Sequence, residues 1–306
     1  MTADGAGIAC IGAAHVDRIA RCRESFAWRA SNPVTQTASS GGVARNVALN
    51  LARLGRPAKL VSVLGDDREG EALLAELLAA GVDCADAARL DGFVTASYTA
   101  LLDPAGELLC GLADADIYEK LTPDRLAALA PGLAAWPLWA IDANLPQSGI
   151  GALLAAKPGG VRLAALAVSP AKAPRLQPHL AGMDMLFANR AEAAALLGHP
   201  VETLAEAREA GTALRRLGPE LVFVTLGGDG VAVADENGCQ RHPAPETVVV
   251  NVNGAGDAFA AGVLDALLGA APLDAAVRHG LAAARVTAQS PDTYSAEISA
   301  ARLDQS

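Results

Sequence analysis

A carboxylate that directly follows a glycine-rich turn, Gly254-Ala255-Gly256-Asp257, is the part of the sequence best suited to chemistry. An Ala-rich apolar run with helical spacing comes after it, and the β-branched run at 247–250 before it predicts a strand. A turn that joins a strand to a helix leaves backbone N–H groups unpaired at the helix start. These groups and the helix dipole can bind an anion there.

The position of Asp257 decides between two interpretations of this turn. A carboxylate would repel a resident phosphate, so its presence favours transfer of a phosphoryl group past it, with Asp257 taking the proton of the acceptor hydroxyl. The alternative is a glycine turn whose Asp only caps the following helix.

A second glycine pair opens a helix near the front of the chain. Apolar residues at 43, 47, 51 and 54 have helical spacing, and Gly55 is a natural stop. Gly41-Gly42 lets a ligand approach the backbone at the helix start, and Asn46 lies in the first turn, near enough to bind the same ligand. A glycine-opened amphipathic helix without a ligand is the alternative.

Polar groups also follow several short apolar runs. Asp17 follows the run at 7–14, and Asp142-Ala143-Asn144 follows the run at 138–141. Open α/β sheets place ligand groups at the carboxyl ends of their strands, and a carboxylate such as Asp17 can accept bonds from two sugar hydroxyls. A loop Asp that caps a turn is the alternative for Asp17.

Strands that alternate with helices predict the architecture. The expected class is α/β, a mostly parallel sheet with helices on both faces, in one domain over residues 1–306. Residues 18–40 fit a core helix poorly, and 95–102 with 108–112 predict a hairpin outside the main sheet. We expect further strands at 61–65, 162–168, 185–188, 221–226 and 231–234, and a helix at 67–80.

Composition excludes several classes of protein. Apolar residues make up 52% of the 306 residues, which argues against disorder, and the net charge of −10 argues against nucleic acid as a partner. The Ala-rich composition, with only 4% aromatics, predicts close helix packing. Five scattered cysteines without a CxxC pair fit a reducing compartment and no zinc site. No basic leader or run of 18 apolar residues is present, so we expect a cytoplasmic protein without a membrane partner.

Four ordered motifs resemble the signatures of the ribokinase-like (PfkB) carbohydrate and nucleoside kinases. These are Gly41-Gly42-Val43-Ala44-Arg45-Asn46, Asn189-Arg190-Ala191-Glu192, Thr225-Leu226-Gly227-Gly228-Asp229-Gly230 and Gly254-Ala255-Gly256-Asp257. Together they span most of the chain, so the set is far more specific than one glycine-rich loop.

Within this family the chain is most similar to the pseudouridine kinase branch. The likeness lies in Ser31-Asn32-Pro33, in Thr95-Ala96-Ser97-Tyr98 and in Asn251-Val252, where much of the family has Asp-Thr. The resemblance implies ATP-dependent phosphorylation of the 5′-hydroxyl of a ribosyl substrate, with pseudouridine as the first candidate. Ribokinase, fructokinase and another nucleoside kinase remain alternatives.

The resemblance also implies the roles of individual residues. A small β-sheet lid would be built from about 16–40 and 92–114, and lids often pair two subunits, so a homodimer through the lid is expected. Asp257 would be the base, and the Gly254, Ala255 and Gly256 amides would stabilise the transferring phosphoryl group. The acceptor would be bound by Asp17, Gly41, Gly42, Asn46, Ser97 and Asn144. ATP would be bound by Asn189, Thr225, Gly227, Gly228, Gly230, Gly254 and Gly256.

The metal ligation implied by the resemblance is indirect. Glu192 would organise Mg²⁺ through water, and the alternative is that Asn189 and Glu192 are a helix cap and a solvated first-turn acid. His15 stands where many members have Asn, and Asn253 replaces a Thr. Asn251 lacks the carboxylate that many members carry near a monovalent-cation site, which leaves potassium (K⁺) activation open. A catalytically inactive, sugar-sensing family member is the non-enzyme alternative, and the intact Asp257 argues against it.

Overall fold

The fold consists of two β-sheets with helices packed on the larger one. The computed structural model describes residues 6–290, 295 and 297–303. The strands of the larger sheet are β1 (Ile8–Ile11), β4 (Ala58–Gly65), β5 (Asp83–Leu90), β8 (Leu138–Asp142), β9 (Arg162–Leu166), β10 (Met185–Asn189), β11 (Leu221–Thr225), β12 (Val231–Asp235) and β13 (Gly238–His242). Those of the smaller sheet are β2 (His15–Cys22), β3 (Val34–Gly41), β6 (Ser97–Leu102) and β7 (Leu108–Asp114).

The larger sheet is parallel except at one edge. Its order is β13-β12-β11-β10-β9-β8-β1-β4-β5, and only the β11–β12 and β12–β13 pairs are antiparallel. The chain runs from β1 outward through β4 and β5, and then returns to the other side of β1 with β8. The order therefore reverses between β1 and β8, which is where open α/β sheets form their ligand crevice.

Helices cover both faces of this sheet, as the sequence predicts. They are α1 (Val43–Arg53), α2 (Arg68–Ala79), α3 (Pro123–Leu129), α4 (Gln147–Ala156), α5 (Arg190–Leu197), α6 (Leu204–Arg216), α7 (Ala255–Leu268), α8 (Leu273–Ala288) and α9 (Ala300–Leu303). A separate apolar cluster fills each face. Close helix packing is confirmed at α7 and α8, where a Cβ added to Gly262 would lie 2.9 Å from Gly280 Cα.

The smaller sheet has the order β3-β2-β6-β7 and stands apart from the larger one. Residues 18–40, which fit a core helix poorly, supply most of β2 and β3, and the hairpin predicted at 95–112 is β6 and β7. Apolar side chains such as Leu108 (58% exposed) and Leu112 (61% exposed) remain on its surface.

The strand predicted at 247–250 is wrong. Residues 243–249 have no regular structure, and Val248 is 79% exposed. This stretch is hydrogen-bonded to a helix instead of a strand, because the Val250 and Asn251 amides donate to Ala288 O at the end of α8. β-Branched residues favour strands only where a neighbouring strand and a buried face receive them, and here neither is present. Two strands that the sequence analysis did not predict, β5 and β13, form the edges of the sheet.

No helix among the described residues is long and apolar enough to cross a membrane.

Candidate active site

A cleft of about 930 Å³ opens at the carboxyl ends of the parallel strands, with the smaller sheet as one wall. Most residues that the sequence analysis assigned to a site line it: Asp17, Gly42, Asn46, Ser97, Asn144, Asn189, Glu192, Thr225, Gly254, Gly256 and Asp257. Gly41, Gly227, Gly228, Gly230 and Ala255 do not line this cleft. One cavity therefore holds side chains from both ends of the chain.

Asp257 lies in the first turn of α7, beside the cleft. Gly254 starts the turn in the left-handed region (φ 76°), and no side chain caps the described start of this helix. The Asp257 carboxylate instead accepts a bond from Asn46 Nδ2, 2.8 Å from Oδ2. The interpretation of Asp257 as a simple helix cap is therefore wrong.

The surroundings of Asp257 bring the pKa of its carboxyl group close to neutral pH. Burial raises the pKa of Asp257 to about 7, the Asn46 hydrogen bond opposes the rise, and the charges of Asp142, Glu192 and Asp17 add to it. A group that titrates near pH 7 can accept a proton from a substrate and release it again. Such a pKa is typical of a general base.

The start of α7, where the sequence predicts an anion site, is open to the cleft in part. Gly254 and Gly256 line the cleft, and a Cβ added to Gly256 would meet nothing within 4 Å, so a ligand can reach this backbone. The Ala255 amide, by contrast, donates to Val252 O over 3.3 Å. Two of the three residues whose amides the resemblance assigns to the phosphoryl group thus line the cavity, and the Ala255 amide has a backbone partner.

The glycine pair before α1 makes room for its neighbours. Gly42 has φ 102°, and a Cβ there would lie 2.4 Å from Ala13 O. A Cβ at Gly41 would lie 2.1 Å from Asp17 Oδ2, so Gly41 leaves space for that carboxylate rather than lining the cavity. Asp17 also pairs with His15 Nε2 at 3.2 Å, while Ser97 lies on the neighbouring strand β6.

The start of α1 is held by a distant carboxylate. Asp142 is fully buried, and its Oδ2 accepts from the amides of Ala13 (2.8 Å) and Ala44 (3.0 Å), while its Oδ1 accepts from Asn144 N (2.9 Å). Gly42 supplies no side-chain cap, so Asp142 caps α1 from the end of β8. It thereby ties the loop after β1, the glycine pair and β8 into one unit.

Lys172 is a cleft residue that the sequence analysis missed. Its ammonium group donates to Asn144 Oδ1, and burial lowers the pKa of Lys172 while the Asp142 charge opposes this. Asn144 is 3% exposed, and its Nδ2 has no hydrogen-bond partner among the described residues. The signal in the sequence was the position of Lys172, just after the predicted strand at 162–168, at the same sheet edge as the other polar residues.

The loop that carries Lys172 begins with a strained turn. Val168 has φ 70°, and Ser169 N donates to Ala167 O at 2.8 Å, as in a γ-turn with a left-handed central residue. This conformation is costly for a β-branched residue. The turn ends β9 at the cleft and leads the chain to Lys172, whose amide donates to Ser169 O.

On the other side of the cleft, Asn189 and Glu192 form a capping box at the start of α5. Asn189 Oδ1 accepts from Glu192 N, and the Glu192 carboxylate accepts from Asn189 N and Nδ2. Glu192 is 6% exposed, so it is not the solvated acid of the alternative interpretation. Burial raises the pKa of Glu192, and the two bonds from Asn189 oppose the rise.

Thr225 ends β11 beside Asn189 and lines the cleft. The glycines of the loop after it do not line the cleft. Gly227 and Gly228 belong to a short 3₁₀ turn, and a Cβ on either would meet nothing within 4 Å. A Cβ at Gly230 would lie 2.0 Å from His242 O, so this glycine allows β12 to begin against the end of β13. The ATP contacts assigned to these glycines stay predictions.

Comparison with known proteins agrees with this geometry. A model of the pfkB family carbohydrate kinases matches residues 6–300. The chain belongs to this family. It is a sugar or nucleoside kinase of the ribokinase fold, as the four motifs predict.

Individual relatives cover nearly the whole kinase. It is 29% identical to the pseudouridine kinase of Escherichia coli K12 over 97% of this chain and 95% of that protein. A solved carbohydrate kinase from Agrobacterium tumefaciens has 35% identity and a TM-score of 0.82, covering 98% of this chain and 96% of that one. The structure of an Arabidopsis thaliana ribokinase, complexed with ribose and ATP, has 24% identity and a TM-score of 0.79 over 94% and 93% of the two chains, which shows the shared fold.

Proposed function

We propose that this kinase transfers the γ-phosphoryl group of ATP to the 5′-hydroxyl of a ribosyl substrate, and that its preferred acceptor is pseudouridine. The observation that carries the proposal is the cleft carboxylate Asp257, bonded to Asn46 and placed at the glycine-opened start of α7. In this arrangement Asp257 takes the proton of the attacking hydroxyl, and the Gly254 and Gly256 amides stabilise the phosphoryl charge.

The acceptor would lie between the smaller sheet and the loop after β9. Asp17 and Gly42 would hold sugar hydroxyls on one side. Lys172 and Asn144 supply N–H donors on the other side, and Asn144 Nδ2 has no hydrogen-bond partner among the described residues. Donors in a buried site fit an acceptor-rich group such as the carbonyl oxygens of a pyrimidine base. The Escherichia coli pseudouridine kinase, similar over 97% of this chain, supports the same substrate class.

Asn189, Glu192 and Thr225 would serve the nucleotide side. When bound with the nucleotide, Mg²⁺ would supply positive charge to offset that of the phosphates. The residues are compatible with the indirect, water-mediated role that the resemblance implies for Glu192. Glu192 is a buried carboxylate that lines the cleft, and no cluster of three acidic, His or Cys side chains among the described residues could hold a metal directly. Running the ADP-release assay with and without K⁺ tests activation by this ion.

The smaller sheet would close over the acceptor and pair with that of a second copy. Leu108 and Leu112 lie 58% and 61% exposed on β7, and a second sheet would remove them from water. Light scattering of the purified protein tests whether it is a homodimer. We also propose that the enzyme is cytoplasmic.

A coupled ADP-release assay with a panel of acceptors tests the proposed function. Pseudouridine should give a higher kcat/KM than uridine, ribose or fructose, with ATP as donor and Mg²⁺ present. Equal or better turnover of free ribose would remove the pseudouridine assignment while leaving the kinase intact. No ADP release with any acceptor, from a folded protein that binds ATP, would favour the sugar-sensing alternative.

A further inference from the structure

Arg45 is a fully buried cation one residue before Asn46. Its side chain is 0% exposed, its Nη1 lies 2.9 Å from Asn46 Oδ1, and its Nη2 lies 2.6 Å from Glu76 Oε2. Ser40, at the end of β3, donates to the same Glu76 oxygen at 2.7 Å. A buried guanidinium is costly unless its charge is paired, and Glu76 supplies the opposite charge.

These contacts determine which way the Asn46 amide points. An amide side chain has one acceptor end and one donor end, whereas a guanidinium has donors only. Arg45 must therefore face Asn46 Oδ1, which leaves Nδ2 to donate to Asp257 Oδ2 over 2.8 Å. A flipped amide would place its oxygen against the Asp257 carboxylate and its NH₂ group against the guanidinium, and both contacts would be repulsive.

We propose that Arg45 is a positioning residue for the general base. It holds the Asn46 amide in the one orientation that donates to Asp257, and Glu76 and Ser40 anchor it in turn. This inference rests on the proposed role of Asp257 as the base. It adds a chain of contacts that begins at Glu76 on α2 and Ser40 on β3 and leads through Arg45 and Asn46 to the base.

The surroundings of Asp257 make the donated bond important. The carboxylates of Asp17 on β2, Asp142 on β8 and Glu192 on α5 all disfavour its ionised form. His15, paired with Asp17, Arg18, paired with Glu69, and Lys172 are the charged or titratable nitrogen groups among the residues that line the cleft. The bond from Asn46 favours the ionised form, so its loss should leave less of the base deprotonated at neutral pH.

The test measures the protonation of Asp257 directly. The carboxyl carbon of Asp257 is followed by ¹³C NMR over a pH series, and it is assigned by its absence from Asp257→Asn. In Arg45→Met we expect its pKa to rise by at least about half a unit, because the hydrogen bond that favours the carboxylate is no longer held. The acid limb of kcat/KM for the acceptor should move upward by the same amount, while the KM for ATP is unchanged.

Arg56→Met is the matched control. Arg56 also forms a mostly buried pair with a carboxylate, Asp265, at 2.7 Å, but it has no contact with Asn46. This variant should lose stability without moving the pKa of Asp257. Arg45→Gln serves where Arg45→Met does not fold, and it should shift the pKa in the same direction because one amide cannot hold both Glu76 and Asn46.

A folded Arg45 variant with an unchanged Asp257 pKa would overturn the proposal. An equal pKa shift in Arg56→Met would overturn it as well, because the effect would then be one of general stability. The NMR titration needs no turnover, so it can be interpreted even if Asp257→Asn shows that the residue is not the base. That result would contradict the proposed function. The positioning role of Arg45 would still be tested by the measured pKa of Asp257.

Discussion

Asn46 Nδ2 lies 2.8 Å from Asp257 Oδ2, although the two residues are 211 positions apart in the sequence. The bond joins the glycine pair before α1 to the glycine turn before α7. Each motif alone has a plain structural explanation. Their meeting in one cleft favours a shared function, because the acceptor site and the base then form one unit.

Asp257→Asn should lower kcat by about 10²–10⁴-fold, because Asn is nearly isosteric but cannot accept the proton at neutral pH. Steady-state kinetics at saturating ATP and acceptor measure this, and ATP affinity should change little. Asp265→Asn, on the same helix but paired with Arg56, is the control and should retain kcat. A variant Asp257→Asn with more than about a tenth of the wild-type kcat would contradict the general-base role.

The pH profile should show an acid limb set by Asp257. Burial raises the pKa of this carboxylate to about 7, so the fraction of ionised base falls as the pH drops below neutrality. We expect kcat/KM for the acceptor to decline below pH 7 with an apparent pKa near that value, since this ratio reports groups of the free enzyme. A profile that is flat between pH 5 and 8 would show that the titration of Asp257 does not limit the reaction.

Asp257 should also lower the stability of the folded kinase above neutral pH. Its folded-state pKa of about 7 exceeds its ordinary value of 3.8, so the stability that the neutral form provides is lost as the pH rises toward 7. Asp257→Asn removes this loss, so its gain in Tm over wild type should be larger at pH 8 than at pH 5.

Asp265→Asn provides the control of opposite sign for this melting experiment. Burial raises the pKa of Asp265, but His279, 3.6 Å from Oδ2, and Arg56, which donates to Oδ1, outweigh it and lower the pKa below its ordinary value. This variant should therefore lose Tm at both pH 5 and pH 8, because both lie above the ordinary pKa of 3.8, and the loss should disappear only at lower pH. Equal Tm changes of Asp257→Asn at the two pH values would contradict the predicted linkage.

Glu192→Gln should raise the Mg²⁺ concentration needed for half-maximal activity more than it raises the acceptor KM. A carboxylate that acts through water orients the ion's hydration shell, and its loss typically costs about 10–100-fold in metal affinity or activity. Mg²⁺ titration at fixed ATP is the measurement. Glu206→Gln is the control, because Glu206 belongs to another capping box, at the start of α6. An unchanged Mg²⁺ dependence would mean that Glu192 acts only as part of its capping box and has no role in metal binding.

Lys172→Met should raise the KM for pseudouridine more than the KM for ATP. The variant removes the donor that faces the cleft beside Asn144 while keeping a long side chain. Initial rates against both substrates give the two constants. Lys157→Met is a matched control, because Lys157 donates to Val161 O and does not line the cleft. Equal changes in both KM values would place Lys172 outside the acceptor site.

The sequence predicted the parts of the site that depend on local backbone chemistry. The glycine turn before Asp257 and the helix that starts after Gly42 have recognisable patterns, and both are present. Strand ends with polar residues indicated the correct edge of the sheet. The prediction at 247–250 failed because β-branched residues form a strand only where a sheet edge receives them, and no local pattern shows that.

Arg45 and Lys172 were missed for a different reason. A charged residue in a helix or loop is usually solvated, and only the fold shows that Arg45 is buried beside Glu76 and Ser40. The same is true of Asp142, which the sequence placed at a strand end without its partners. Its bonds to Ala13 and Ala44 follow from the adjacency of β1 and β8, which is a property of the sheet order.

The cap that Asp142 provides has a consequence for the order of events during synthesis. The first turn of α1 is completed by a carboxylate that leaves the ribosome 98 residues after Ala44. A nascent chain that ends before Asp142 contains Gly42 and Asn46 but lacks the carboxylate that caps the helix between them. The capped start of α1 beside the acceptor site is therefore completed only after β8 has been translated. An N-terminal fragment that ends between α3 and β8 should lack this capped helix start.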